Sequence, residues 1–228
     1  MKKNIALILA SGTGERSGLN QPKQFYEVGG KTLLEHSVAT FDNHPDIHEI
    51  FVVSHPDFVE RTEDLVRVFS KVRCVLSGGA TRQESSYKGV FAIEDKDANV
   101  LIHDAVRAFV TSDIISTCIA GLKEHDAVCA AVETSDTILE IDEKGRIIAV
   151  PTRGFLRCAQ TPQCFQLSLI KHAHEQARVS GQTVTDDCGL ILSNNLADIY
   201  VVAGDVNNKK ITYPWDLELA KLIYEKKT

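Results

Sequence analysis

The chain has 228 residues, 43% of them hydrophobic and 25% charged, with a net charge of −6. That length is ample for a full hydrophobic core, and the composition is that of a globular protein free in solution. The acidic balance argues against a broad nucleic-acid surface, so any anionic ligand has to be held by cations placed locally.

The first predicted element is the apolar run Ile5–Ala10. Met1-Lys2-Lys3 ahead of it resembles the start of a secretory leader. The apolar segment is too brief for one, however, and runs straight into a glycine-rich loop, so it reads as strand one. Further strands are expected at Glu49–Ser54, Arg73–Leu76, Asn99–His103, Ala127–Val132 and Ile199–Val202. Helical periodicity falls between them, at Leu33–Phe41, Phe58–Phe69, Gln83–Ala92, Asp113–Lys123 and Leu167–Val179, the last closed by Gly181. This alternation predicts an α/β fold of one domain over residues 1–228, a mostly parallel sheet with helices on both faces. On such sheets ligands bind beyond the carboxyl ends of the strands. From Asp136 to Pro151 the rhythm breaks into a β-hairpin turning at Glu143-Lys144-Gly145, a projecting arm whose apolar strands call for a second subunit. No apolar run reaches membrane-spanning length. Cys74, Cys118, Cys129, Cys158, Cys164 and Cys188 show no metal-ligand spacing, and the expectation is reduced, mostly buried thiols in a cytoplasm.

The loop after strand one, Leu9-Ala10-Ser11-Gly12-Thr13-Gly14-Glu15-Arg16, carries the strongest chemical signal. Small residues let the backbone approach a ligand, its N–H groups suit phosphate oxygens, and Arg16 and Lys23 supply side-chain cations. A dinucleotide site is the rival reading. Its third glycine would fall at Ser17, and Glu35, near the spacing of the ribose-binding acid, is explained by a Thr32–Glu35 capping box. Four further polar clusters fall at loop positions: Gly78–Ser86, Ile102–Arg107, Arg153–Phe165 and Asn208–Thr212. Asp104, at a strand end, is the candidate ligand for Mg²⁺, which takes one or two carboxylates plus phosphate oxygens. His103 beside it reads as a packed core histidine. A short strand around Ile211 is expected to aim one of Lys209 and Lys210 inward. Thr185-Asp186-Asp187 reads as a helix N-cap.

Taken in order, the motifs Ala-Ser-Gly-x-Gly-x-Arg, Pro-Lys-Gln, Gly-Gly-x-x-Arg-x-x-Ser, His-Asp-Ala-Val-Arg, Asp-Thr-Ile, Gln-Thr-Pro-Gln-x-Phe, Thr-Asp-Asp and Lys-Ile-Thr-x-Pro-x-Asp-Leu cover nearly the whole chain. Together they resemble the CTP-dependent cytidylyltransferases that act on polyol phosphates. The resemblance implies a Rossmann-like nucleotidyltransferase fold, transfer of CMP from CTP with release of pyrophosphate, and Mg²⁺. Leu9, Ala10, Ser11, Gly12, Thr13 and Gly14 would cradle the phosphates, with Arg16, Lys23 and Lys210 as the catalytic cations. Gly79, Ala80, Arg82, Ser85 and Ala105 would hold the nucleoside, and Asp104 would face metal and ribose. Arg107, Thr137, Arg153, Thr161 and Thr185 would bind the polyol phosphate. The arm, at about 134–160, would cross to the partner of a homodimer and carry Thr137, Arg153 and Thr161 to its acceptor site. No nucleic-acid or membrane partner is implied.

Two branches of the family differ in acceptor, methylerythritol 4-phosphate or ribitol 5-phosphate. Ala80, Val106 and the Asp187-Cys188-Gly189 stretch resemble the ribitol branch, which gives ribitol 5-phosphate as the first expectation. Ala108, where both branches usually carry proline, departs from both. Two other classes remain open to test: a non-catalytic nucleotide-binding protein on the same fold, and a sugar-1-phosphate nucleotidylyltransferase using UTP or GTP.

Overall fold

The computed structural model describes residues 2–14 and 21–227, with the side chains of 226 and 227 left aside. Its strands are β1 (Lys3–Ala10), β2 (Glu27–Val28), β3 (Lys31–Thr32), β4 (Glu49–Ser54), β5 (Val72–Ser77), β6 (Ala98–Asp104), β7 (Ala127–Glu133), β8 (Glu140–Ile141), β9 (Ile147–Ala149), β10 (Arg157–Gln166) and β11 (Tyr200–Ala203). Its helices are α1 (Leu33–Asp42), α2 (Val59–Val66), α3 (Arg82–Ala92), α4 (Ser112–Gly121), α5 (Leu167–Ser180), α6 (Asp187–Ser193) and α7 (Pro214–Lys227). Among these helices none is long and apolar enough to cross a membrane.

Seven strands form one sheet in the order β11-β7-β10-β6-β1-β4-β5. All run parallel except β10, which lies antiparallel to both β6 and β7. The period-two pattern of β1 shows how the sheet is covered. Ala6, Ile8 and Ala10 join a core with Leu34, Val38 and Phe41 of α1 and Ile114 and Ile115 of α4. Ile5, Leu7 and Leu9 join the opposite core with Val90 of α3 and Ile170 and Ala173 of α5. A strand buried on both faces reads as a continuous apolar run, as this one does.

Several local expectations hold. Thr32 and Glu35 form a reciprocal capping box at α1, Gly181 closes α5 in the left-handed conformation, and Asp186 caps α6 by accepting from Gly189 N–H. The hairpin β8–β9 turns through Gly145 at φ +79°, and the Asp142 carboxylate gathers the N–H groups of Lys144 and Arg146. Four of the six cysteines are buried and all six are free thiols. Ala108 packs with Phe109, Ile211 and Leu217 in a small cluster under α7.

Two expectations fail. Arg157–Gln166, most of which falls in the polar cluster Arg153–Phe165 expected at a loop position, is the longest strand of the sheet. Its polar centre hid it: Gln160, Thr161 and Gln163 are each at most 5% exposed, and their hydrogen bonds are made by tertiary partners invisible to any local pattern. The segment around Ile211 is no strand. Ile211 N–H donates to Val106 O outside any strand ladder, and Asp216 Oδ2 accepts from the N–H groups of Thr212 and Tyr213.

Candidate active site

At the carboxyl end of β1 lies a cavity of about 560 Å³. The predicted residues Leu9, Ala10, Ser11, Gly12, Thr13, Gly14, Lys23, Gly79, Ala80, Arg82, Asp104, Thr185 and Lys210 all line it. Arg16 lies outside the described residues. Placement beyond a strand end follows from the parallel sheet, whose loops diverge on either side of β1.

Each wall is fixed by contacts of its own. Gln24 Nε2 donates to the carbonyls of Ala10 (2.7 Å) and Gly12 (3.0 Å), withdrawing two acceptors that would repel phosphate oxygens. Lys23, 8% exposed, reaches Thr212 O at 3.3 Å. Ser85 is buried behind the wall, where its Oγ accepts from Ser11 Oγ (2.8 Å) and Gly79 N–H (3.1 Å) and donates to Thr81 O (2.9 Å). That knot leaves no room at Gly78, where a Cβ would stand 2.7 Å from Ser11 Cβ and 2.9 Å from Ser54 O. The Gly78-Gly79 pair is thus required by close approach.

Asp104 forms the floor. Its Oδ1 accepts from Arg82 Nε at 3.1 Å and its Oδ2 from Lys210 Nζ at 2.7 Å. Burial alone would push this carboxyl up, but Arg82 and Lys210 outweigh it and hold the group well below the usual carboxylate range. Asp104 is therefore ionised at neutral pH. Among the described residues no set of three metal-ligating side chains converges. An ionised carboxylate facing a phosphate loop fits Mg²⁺ held by one protein ligand and phosphate oxygens, rather than by a closed protein cage.

His103 is a satisfied core residue. Thr161 Oγ1 accepts from Asp104 N–H (3.1 Å) and so has its own proton for His103 Nδ1 (2.9 Å), leaving Nε2 to donate to Arg107 O (3.2 Å). Burial drives its pKa to about 4, and burial also lowers His44 and His174. These shifts contribute to the acid stability. The unfolded chain binds protons near pH 6.5 that the folded chain refuses, so the stabilisation is complete above 6.5 and is lost as pH falls towards 4. His103 alone contributes up to about 3 kcal/mol of this change. Urea midpoints are expected to fall steadily between pH 7 and 4.5, and a flat profile would contradict these environments.

Besides Ser85, five predicted residues lie outside the cavity lining. Ala105 is fully buried, its N–H on Leu9 O and its carbonyl accepting from Ser37 Oγ, so it supports the floor without reaching a base. Arg107 directs its guanidinium at the carbonyls of Asn208 (2.8 Å) and Ala159 (3.3 Å), and Val106 takes the cavity wall instead. Thr161 is held beneath Asp104 of its own chain, which removes it from any role on the arm. Thr137 and Arg153 are exposed on the arm, with Arg153 Nη1 on Ser135 O at 3.2 Å. Of the five residues expected at the polyol phosphate, only Thr185 lines the cavity. Three supporting side chains escaped the sequence reading: Gln24, Gln163 and Asp187. Each sits in a motif the sequence singles out, Pro-Lys-Gln, Gln-Thr-Pro-Gln-x-Phe and Thr-Asp-Asp, but the motif alone gives these side chains no supporting role.

The chain matches the family model of 2-C-methyl-D-erythritol 4-phosphate cytidylyltransferase (IspD) over residues 4–226. It belongs to that family. Its members are CTP-dependent, so the chain is a cytidylyltransferase acting on a polyol phosphate. A Clostridium botulinum 2-C-methyl-D-erythritol 4-phosphate cytidylyltransferase is 38% identical over 100% of both chains. A Haemophilus influenzae bifunctional ribulose 5-phosphate reductase/CDP-ribitol pyrophosphorylase is also 38% identical, over 99% of this chain, which spans 49% of that protein's length. Among solved structures, the 4-diphosphocytidyl-2C-methyl-D-erythritol synthase of Anaerococcus prevotii superposes with a TM-score of 0.89 at 30% identity, covering 98% of this chain and 96% of that one. The cytidylyltransferase fold thus accounts for the parallel sheet, the loop after β1 and the cation-lined floor.

Proposed function

We propose that the acceptor is 2-C-methyl-D-erythritol 4-phosphate and that CTP occupies the 560 Å³ cavity. The observation that carries this is the full-length family match together with relatives named for that acceptor. The sequence alone put ribitol 5-phosphate first. The comparisons favour the other branch, although the Haemophilus relative, with Val106 on the cavity wall, keeps ribitol 5-phosphate as the second reading.

A phosphate oxygen of the acceptor attacks the α-phosphorus of CTP and pyrophosphate leaves. The nucleophile is already an anion, so no strong base is needed, and the neutral, buried His103 is not asked to serve as one. The obstacle is repulsion between two polyanions. Lys23, Lys210 and Arg16 offset it, and the loop from Ala10 to Gly14 orients the phosphates. Asp104 would hold Mg²⁺, which would supply further positive charge against the phosphates. On the arm Ile138, Leu139, Ile141, Ile147, Ile148, Val150 and Phe155 are exposed, which supports a homodimer in which a second copy covers them.

Pyrophosphate release from CTP and Mg²⁺ is the direct test, with the two acceptors compared. Methylerythritol 4-phosphate is expected to give the higher kcat/KM by at least about tenfold. The reverse preference selects ribitol 5-phosphate, and release with neither would defeat both assignments.

A further inference from the structure

The cavity floor is tied to a buried acidic side chain that does not itself line the cavity. Asp187, the first residue of α6, is 1% exposed. Its Oδ2 accepts from Arg82 Nη1 at 2.7 Å and its Oδ1 from Ser86 Oγ at 2.6 Å, while its backbone N–H is held by Gln163 Oε1 at 3.0 Å. From the same guanidinium, Nε continues to Asp104 Oδ1, and Lys210 closes the row on Oδ2. The sequence of groups is carboxylate, guanidinium, carboxylate, ammonium. Desolvating a carboxylate costs several kcal/mol, and α6 is already capped by Asp186. Capping therefore does not explain why a second, buried aspartate grips a guanidinium on the cavity wall.

We propose that Asp187 is a positioning residue for cytidylyl transfer: by holding one edge of Arg82 it leaves a single N–H for Asp104, keeping Arg82 on the wall and Asp104 available to the nucleotide. Without that hold, the guanidinium is free to close a two-pronged fork on Asp104, the preferred Arg–carboxylate geometry. Arg82 would then leave the wall that receives the nucleotide. The other titratable group in reach, His174, is buried and stays neutral. Its Nε2 lies 3.3 Å from Ser86 Oγ and 4.0 Å from Asp187 Oδ1, so it does not replace Arg82 as the counter-ion. This inference rests on reading the cavity as the CTP site.

Turnover by the unaltered protein tests that reading first. In Asp187→Asn, KM for CTP and the calorimetric Kd for CTP are then expected to rise together by about tenfold, with kcat at saturating CTP changed less than about threefold. Asp187→Glu, which restores the carboxylate, should recover most of the affinity. In an Arg82→Gln background, Asp187→Asn should add almost nothing, as expected for residues acting through one contact. An unchanged KM accompanied by a lower melting temperature and fewer active sites would overturn the proposal, leaving Asp187 as a brace of the fold. So would effects of the two substitutions that multiply. Should Asp187→Asn alone fail to fold, Arg82→Gln is compared with the double variant, which carries no unpaired buried cation. Equal CTP affinity supports positioning and a further loss refutes it. If the unaltered protein turns over neither acceptor, the functional reading fails by itself, while the calorimetric arm still tests whether Asp187 acts through Arg82.

Discussion

Lys210→Ala is expected to lower kcat for pyrophosphate release by about 10²–10³-fold, the loss seen when a preorganised donor to developing charge is removed. The fold should barely notice. The Lys210 side chain is 39% exposed, and its partner Asp104 keeps Arg82 when the lysine is gone. A part-exposed pair of this kind contributes about 0–1 kcal/mol, which at this chain length shifts Tm by roughly 2–4 °C at most. Lys23→Ala should depress turnover comparably, since Lys23 lines the same cavity. Near-normal kcat in both purified variants would remove these lysines from the chemistry.

Asp104→Asn is the second large effect. Asp104 is the only acid among the described residues lining the cavity. The amide can still accept from one cation, but its NH₂ then faces the other, so the present arrangement with Arg82 and Lys210 cannot be kept. Turnover should fall by about 100-fold or more, with weaker stimulation by Mg²⁺, because a neutral oxygen is a poor ligand for a hard divalent cation. Stability should change little. The lost pairing is offset by the desolvation penalty that no longer has to be met. Urea denaturation and a Mg²⁺ titration of initial rates check the two halves. Turnover within threefold of the unaltered protein, with the same Mg²⁺ dependence, would rule out the proposed role.

Much of this architecture is written locally. The apolar run of β1, the capping box at α1, the glycine closing α5 and the turn at Gly145 each follow from neighbouring residues, because strand and helix periodicity and turn chemistry act over short spans. The loop from Ser11 to Gly14 and the cations near it carry their chemistry in their residue types, so the proposed phosphate site is legible in the sequence itself. Acceptor choice is less legible: Ala80, Val106 and Cys188 point to ribitol 5-phosphate, whereas the family match favours the other branch.

What the tertiary structure alone decided is where buried polar groups find their partners. Gln160, Thr161 and Gln163 look like loop residues until Asp205, His103 and Asp186 are brought beside them, and only then is β10 a strand. Asp187 reads as a helix start until Arg82, 105 positions away, bonds its carboxylate. Arg107 reads as a ligand-binding cation until Asn208 and Ala159 take its N–H groups. Hydrophobic patterning is a property of the local chain and survives in the sequence. The satisfaction of a buried polar group depends on residues far along the chain, and only folding supplies them.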